Sequence, residues 1–185
     1  MNGTARIVLL NGVGSVGKSS IARALQTMTR EPFLHVRMDA FLEMLPEAYQ
    51  EHPDGFAYEA RHEEGKPSVV IRTGPIGERT MRGMRHAIAA LAAQGNDLIV
   101  DDVLLDGAAA DYAELLAPFR LFRVGVFAPL DVLEARERQR GDRLIGLARW
   151  QYDRVHKGAT YDLEIDASTA TPMECAWLIK EKFGL

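Results

Sequence analysis

The strongest indication of the fold is residues 12–19, which read Gly12-Val13-Gly14-Ser15-Val16-Gly17-Lys18-Ser19. It fits the pattern Gly-x-x-x-x-Gly-Lys-[Ser/Thr], the P-loop motif, and lies between the apolar run Ile7-Val8-Leu9-Leu10 and a helix-like segment, residues 20–28. Glycines let the backbone bend until successive N–H groups point at phosphate oxygens, and the helix start adds partial positive charge. The stretch predicts a phosphate-binding loop, and the flanking strand and helix make an ordinary glycine-rich turn the weaker interpretation.

In such a loop the lysine reaches the β- and γ-phosphates of a nucleotide, and the hydroxyl residue after it ligates magnesium. Lys18 and Ser19 are the residues expected in these roles. The predicted nucleotide-binding residues of the loop are Gly12, Val13, Gly14, Ser15, Val16, Gly17, Lys18, Ser19 and Ser20.

The composition is that of one ordinary globular domain, residues 1–185, with 47% hydrophobic and 26% charged residues. A net charge of −4 offers no general attraction to nucleic acid. No apolar run approaches the roughly 20 residues that span a bilayer. Cys175 has no second cysteine to pair with and is interpreted as a buried small side chain. We therefore expect a cytoplasmic protein that contacts neither membrane nor nucleic acid.

Short apolar strands alternate with helical segments along the chain, which predicts an α/β fold with a parallel sheet. The predicted strands are residues 6–10, 33–38, 97–102, 121–127 and 163–166. Asp39 falls at the carboxyl end of the second strand, where open α/β sheets place their ligands.

Asp101 and Asp102 end the next predicted strand. After a P-loop, such a strand usually supplies the carboxylate for magnesium. Because side chains alternate across a strand, both acids cannot face the metal equally, and the sequence does not choose between them. The alternative is that the two acids only mark the exit of the strand into a loop.

Residues 46–77 are rich in Pro, Gly and charge, with one possible small strand at Val69-Val70-Ile71. A stretch this long between regular elements is usually functional or mobile. It is interpreted either as a substrate-side insertion or as a surface loop.

Residues 136–146 carry an arginine cluster that includes Arg136, Arg140 and Arg143. Arg136 and Arg140 are four residues apart and share a helical face. Guanidinium groups beside a transferring phosphoryl group offset its negative charge, and in small P-loop kinases they come from a lid. The alternative is a solvated helix face paired with Glu134 and Glu137.

Two further features lie in the last 30 residues of the chain, a predicted helix start and a histidine in a loop. Thr171-Pro172-Met173-Glu174 predicts a helix start with a capping box, and the stripe that follows predicts Trp177 and Phe183 in the core. His156 lies in a loop, where either a structural or a site role is open.

A compact P-loop, an acid after the second strand and a late arginine cluster favour a small-molecule kinase, in which the acid orients and deprotonates the attacking hydroxyl. No Asn-Lys-x-Asp motif is present, which speaks against a GTPase. Catalytic roles are expected for Asp39, Lys18, Arg136 and Arg140. A nucleotide-binding regulator without turnover is the alternative from another class.

Over nearly its whole length the chain resembles the chloramphenicol phosphotransferase family, P-loop enzymes that phosphorylate the primary hydroxyl of the antibiotic. The matching stretches are residues 7–12, Met38-Asp39, residues 98–105, Gly107-Ala108-Ala109-Ala110, Val124-Gly125-Val126, Glu134-Ala135-Arg136-Glu137, Arg140-Gly141-Asp142-Arg143, Val155-His156, Gly158, Tyr161-Asp162 and Glu174-Cys175-Ala176-Trp177. The resemblance implies a five-stranded parallel sheet with helices on both faces, the three-layer P-loop NTPase fold. It also implies use of ATP and magnesium, a catalytic base at Asp39, and nucleotide or lid contacts from Arg136, Arg140 and Arg143.

Residues 46–77 and the middle of the P-loop differ from that family's pattern. The expected reaction is therefore transfer of the γ-phosphoryl group to a hydroxyl of a small molecule. Chloramphenicol is one candidate acceptor, and a metabolite, nucleoside or sugar nucleotide is the alternative. A homo-oligomer is compatible with the sequence.

Overall fold

The computed structural model describes residues 4–63, 65–105, 107–141 and 144–185 of the chain. The strands in these ranges are β1 (Arg6–Asn11), β2 (Phe33–Arg37), β3 (Phe56–Glu63), β4 (Lys66–Thr73), β5 (Asp97–Asp102), β6 (Arg120–Phe127) and β7 (Leu163–Asp166). The helices are α1 (Lys18–Met28), α2 (Met38–Leu42), α3 (Pro75–Ala93), α4 (Ala108–Leu115), α5 (Leu130–Arg140), α6 (Leu147–Tyr152) and α7 (Pro172–Phe183). A short 3-10 turn spans Glu47–Tyr49.

Five strands form a parallel sheet in the order β2-β5-β1-β6-β7. The central strand β1 is buried on both faces because its apolar side chains alternate between two cores. Val8 and Leu10 pack into the core on the side of α1 and α7. Ile7 and Leu9 pack into the core on the side of α3 and α4. The predicted α/β fold, three layers with a five-stranded parallel sheet, is confirmed.

The sheet brings separate parts of the sequence to one edge. Strand β1 pairs with β5 on one side and with β6 on the other, so the P-loop leaves the sheet from its centre. Strand β5 also pairs with β2, in a register that sets Arg37 beside Asp101. The residues that follow β2 therefore lie close to the end of β5, at the edge where ligands of open α/β sheets bind.

Residues 46–77 contain more regular structure than the sequence indicated. The possible short strand at residues 69–71 belongs to an antiparallel hairpin, in which β3 pairs with β4 along eight residues of each. Gly65 takes a positive φ of 76° in the turn, a conformation that glycine adopts readily. The hairpin is joined to the start of α6, because the N–H of Val69 donates to the carbonyl of Gly146 at 3.0 Å.

The last helix confirms one local expectation and corrects another. Thr171 and Glu174 form the capping box, with both reciprocal hydrogen bonds present. Cys175 is buried as expected, and Phe183 is partly buried against the core. The prediction of Trp177 as a core residue is wrong, since this side chain is 54% exposed. In the described part of the chain, no helix is long and apolar enough to cross a membrane.

Candidate active site

The P-loop wraps between β1 and α1 through conformations that few residues adopt. Gly17 has a φ of 107° and Ser15 a φ of 68°, both in the left-handed region. Gly12 approaches β6 so closely that a Cβ atom there would lie 2.5 Å from the carbonyl oxygen of Val126. The Oγ of Ser15 is buried and has no hydrogen-bond partner. The loop thus forms a tight cradle with a polar group left for a ligand.

Lys18 lies inside this cradle with 6% of its surface exposed. Its ammonium group donates to the carbonyl oxygens of Gly12, at 2.7 Å, and Val13, at 3.2 Å. The same nitrogen lies 3.9 Å from a carboxylate oxygen of Asp101. A positive charge is therefore held at the centre of the loop.

Asp101 faces the P-loop. The hydroxyl of Ser19 donates to one of its carboxylate oxygens, and Nε2 of His35 lies 3.6 Å from the same oxygen. Burial alone would raise the pKa of Asp101, but His35, the charge of Lys18 and the Ser19 hydrogen bond outweigh it and lower the pKa. The carboxylate is therefore kept ionised beside the loop, as a metal ligand requires.

Asp102 points the other way, as alternation along a strand requires. The hydroxyl of Tyr112 donates to it at 2.8 Å, and the N–H of Val103 donates at 2.7 Å. Burial raises its pKa, and these two hydrogen bonds only partly oppose that effect. The two acids therefore have different hydrogen-bond partners, Ser19 for Asp101 and Tyr112 for Asp102, while both line the cavity around Lys18.

The cradle opens into a cavity of about 360 Å³ at the carboxyl edge of the sheet. Asp39, at the start of α2, and Arg140, at the end of α5, both line it. Lys18 and Ser19 of the P-loop and both Asp101 and Asp102 of β5 also line it. Predicted site residues from four separate segments therefore line one cavity.

Arg136 lies elsewhere. Its guanidinium donates to the carbonyl oxygens of Val16, Ala167 and Ser168, at 3.2, 2.8 and 3.3 Å. These contacts join the P-loop to the loop that follows β7, and Arg136 is absent from the residues lining the cavity around Lys18. Arg143, the third predicted arginine, lies outside the described residues.

Two larger cavities continue from the first. One of about 380 Å³ reaches α3 and α4 and shares Met38 and Asp102 with it. The other, of about 740 Å³, shares Asp39 and Arg140 with it. Phe56 of the hairpin lines both larger cavities. Residues 46–77 thus line both cavities that adjoin the one around Lys18.

Several residues of the cleft were not identified from the sequence. The side-chain oxygen of Gln151 accepts a hydrogen bond of 2.7 Å from the N–H of Gly14, and Arg23 and Arg37 line the cavity around Lys18. The sequence does offer a signal for Arg23, which lies four residues after Ser19 and therefore on the same face of α1. Gln151 carries no comparable signal, because it lies 137 residues from its partner.

His156 packs behind the P-loop. Its ring stacks on Phe127 with centroids 3.9 Å apart, and its Nδ1 lies 2.7 Å from the hydroxyl oxygen of Tyr161. The same oxygen accepts a hydrogen bond of 2.7 Å from the amide nitrogen of Asn11. Burial, together with the charge of Lys18, lowers the pKa of His156 to about 4. These contacts describe a neutral, packed ring.

Comparison with known proteins identifies the family of the chain. A family model described as "Chloramphenicol phosphotransferase-like protein" matches residues 5–184. The chain is 32% identical over 174 residues to "Putative O-phosphotransferase Rv2636" of Mycobacterium tuberculosis strain H37Rv, which covers 91% of this chain and 77% of that protein.

Two solved structures show the same fold at low sequence identity. A gluconokinase from Sinorhizobium meliloti 1021 has a TM-score of 0.65 and 18% identity, covering 100% of this chain and 94% of its own. The Mycobacterium tuberculosis APS kinase CysC, in complex with AMPPNP and APS, has a TM-score of 0.66 and 15% identity. The match covers 98% of this chain and 99% of the APS kinase chain. With the family match over residues 5–184, the chain belongs to the chloramphenicol phosphotransferase-like family and is a phosphotransferase of the kinase class.

Proposed function

We propose that the protein transfers the γ-phosphoryl group of ATP, with Mg²⁺, to a hydroxyl group of a small molecule. The observation that carries the proposal is that Lys18, Ser19, Asp101 and Asp39 line one cavity, which adjoins a cavity of about 740 Å³ that Asp39 also lines. Phosphoryl transfer needs positioning and charge stabilisation more than covalent chemistry from the protein. A phosphate cradle next to a carboxylate and a second cavity supplies both.

The residues present fit a bound nucleotide and metal ion. The P-loop, residues 12–20, presents backbone N–H groups and the partnerless Oγ of Ser15 to phosphate oxygens. In the described part of the chain no three His, Cys, Asp or Glu side chains form a metal cluster. Mg²⁺ at phosphoryl-transfer sites is usually held by one or two carboxylates together with substrate phosphates. Ser19 and Asp101 fit that need, while Asp102 is turned toward Tyr112.

Bound Mg-ATP supplies the phosphoryl group, with part of its charge neutralised. Lys18 exchanges its two carbonyl partners for phosphate oxygens and places its charge on them. Asp39 orients the acceptor hydroxyl and takes its proton. Arg140 adds positive charge from the end of α5, and we propose that residues 136–146, which include Arg143, act as a lid. Arg136 holds the P-loop backbone from behind.

The family description makes chloramphenicol one candidate acceptor. A metabolite, nucleoside or sugar nucleotide remains the alternative within the same chemistry. A regulator that binds nucleotide without turnover is the alternative from another class, and the cavities beyond Asp39 favour the enzyme because a regulator needs no acceptor site.

The test is a screen of hydroxyl compounds, chloramphenicol among them, incubated with the protein, ATP and Mg²⁺ and analysed by mass spectrometry. We expect a mono-phosphorylated product whose formation requires Mg²⁺ and is lost in Lys18→Ala, because that substitution removes a point charge from the phosphate site. Tight ATP binding with no transfer to any compound would support the regulator instead. A product that forms equally well with Lys18→Ala would contradict the assignment of the cradle.

A further inference from the structure

The cavity of about 380 Å³ between the hairpin, α3 and α4 has a composition of its own, and we call it the acceptor lobe. The hairpin and α6 contribute apolar and aromatic side chains to its lining, namely Phe56, Tyr58, Ile71 and Trp150. Helix α3 contributes two arginines, Arg82 and Arg85, and the acids Glu78, Asp102 and Asp111 also line the cavity. This division predicts an acceptor with an apolar part and a polar end.

Arg85 has an unmet hydrogen-bonding need. Its side chain is 15% exposed, and Nη2 forms an ion pair of 2.9 Å with Asp111. Its Nε is buried and has no hydrogen-bond partner. A buried N–H without an acceptor costs stability unless a ligand supplies the missing oxygen. Arg85 therefore brings to the lining of the lobe a guanidinium whose pairing with Asp111 leaves one N–H unsatisfied.

Arg82 lies three residues before Arg85, on the same face of α3, and lines the same lobe. Among the described residues no ion pair joins it to an acid, including Glu78, which lies four residues earlier on the helix. Among the described residues, Arg82 thus adds to the lobe a guanidinium that is not paired with a carboxylate, whereas Arg85 is paired with Asp111.

The acids of the lobe do not meet this need. Asp102 accepts hydrogen bonds from the hydroxyl of Tyr112 and from the N–H of Val103. Asp111 is 53% exposed and pairs with Arg85 through Nη2 only. Glu78 is exposed on the surface of α3. Among the described residues, none of these acids pairs with Arg82, and Asp111 pairs with Arg85 through one nitrogen only.

We propose that the acceptor carries a carboxylate or a phosphate group, which Arg85 and Arg82 bind while its apolar part packs against Phe56 and Trp150. Guanidinium groups bind these anions in pairs of parallel hydrogen bonds, which a neutral hydroxyl cannot match. The inference rests on the proposed function, since it names the substrate class for the same cleft. Hydroxy acids and phosphorylated sugars therefore come before neutral compounds such as chloramphenicol as candidate substrates.

The experiment uses matched pairs that differ in the acidic group: quinate against myo-inositol for a carboxylate, and ribose 5-phosphate against ribose for a phosphate. Binding to the wild-type protein is measured by calorimetry without nucleotide, and transfer from ATP is measured separately. We expect at least one acid to bind about 10-fold or more tightly than its neutral partner. The pair that shows the difference identifies whether the group is a carboxylate or a phosphate.

Arg82→Gln tests the site without disturbing the Arg85–Asp111 pair, and Arg79→Gln, on an exposed part of the same helix, is the matched control. The preference for the acid should fall about 10-fold in Arg82→Gln and persist in Arg79→Gln, with ATP affinity unaltered in both. Equal affinity for acid and neutral partners, including no measurable binding of either, overturns the inference, as does a preference that survives Arg82→Gln. Arg82-dependent acid binding without transfer would contradict the proposed function alone. Transfer to neutral compounds without acid preference would contradict the acid site alone.

Discussion

The hydroxyl of Ser19, in the first turn of α1, donates a hydrogen bond to the carboxylate of Asp101, near the end of β5. The contact joins the P-loop to the neighbouring strand at the point where the proposed metal ion binds. The next residue, Asp102, is held on the other side by Tyr112. Adjacent acids of one strand thus have different surroundings, and this difference can be measured.

Asp101→Asn should lower kcat about 100-fold and raise the Mg²⁺ concentration needed for half-maximal ATP binding, because it removes a carboxylate from the metal site. Titration of ATP affinity against Mg²⁺ measures the second effect. Asp102→Asn is the matched variant and should keep the wild-type Mg²⁺ dependence while losing about 1–3 kcal/mol of stability. The assignment is wrong if the two variants shift the Mg²⁺ dependence alike.

Gln151→Met should lower the free energy of unfolding by about 1–3 kcal/mol, because the buried N–H of Gly14 loses its acceptor. It should also weaken ATP binding, since this bond holds the P-loop against α6. Urea denaturation and nucleotide titration measure the two effects. Gln94→Met, at an exposed position after α3, is the control and should change stability by less than about 0.5 kcal/mol. Wild-type values for Gln151→Met in both measurements would show that the bond contributes nothing.

The pKa of His156 predicts a pH dependence of stability with a definite sign. Its pKa is about 4 in the folded protein and near 6.5 when unfolded, so the unfolded state binds more protons between these values. The contribution of His156 is present above pH 6.5 and is lost as the pH falls toward 4. His156→Gln should therefore lose less stability than wild type between pH 7 and pH 5, as measured by urea midpoints. Parallel pH profiles for the two proteins would contradict the neutral, buried ring.

Trp177→Ala should change the free energy of unfolding by less than about 1 kcal/mol, because most of the indole already contacts water. Ile179→Ala, two residues further along α7, should cost about 2–5 kcal/mol, since Ile179 is fully buried. Chemical denaturation compares the two. Similar losses for both would mean that the indole is covered in solution.

Features that depend on neighbouring residues could be predicted from the sequence. The capping box of Thr171 and Glu174 is a local exchange of hydrogen bonds, and the P-loop lies in a local strand-loop-helix unit. The parallel sheet followed from apolar runs that alternate with helices. Trp177 was misplaced because an apolar stripe does not specify how wide the buried face of α7 is, and the helix packs mainly on α1.

Features that depend on distant residues could not be predicted. The paired strands, residues 56–63 and 66–73, carry charged and polar residues at several positions. The alternation of apolar and polar side chains that indicates a strand is therefore unclear from their sequence. Gln151 and Arg85 acquire their roles only where the chain brings α6 to the P-loop and α3 to the cleft. The different hydrogen-bond partners of Asp101 and Asp102, Ser19 and Tyr112, depend on the direction in which each side chain leaves β5.

In the proposed reaction, Asp39 acts on an acceptor hydroxyl while the P-loop holds ATP. The most direct measurement compares wild type with Asp39→Asn for phosphoryl transfer to the acceptor found by the screen and for ATP affinity by calorimetry. We expect transfer to fall about 100- to 10,000-fold, the usual contribution of a general base, while ATP affinity stays within about 3-fold of wild type. Transfer at the wild-type rate by Asp39→Asn would contradict this role of Asp39.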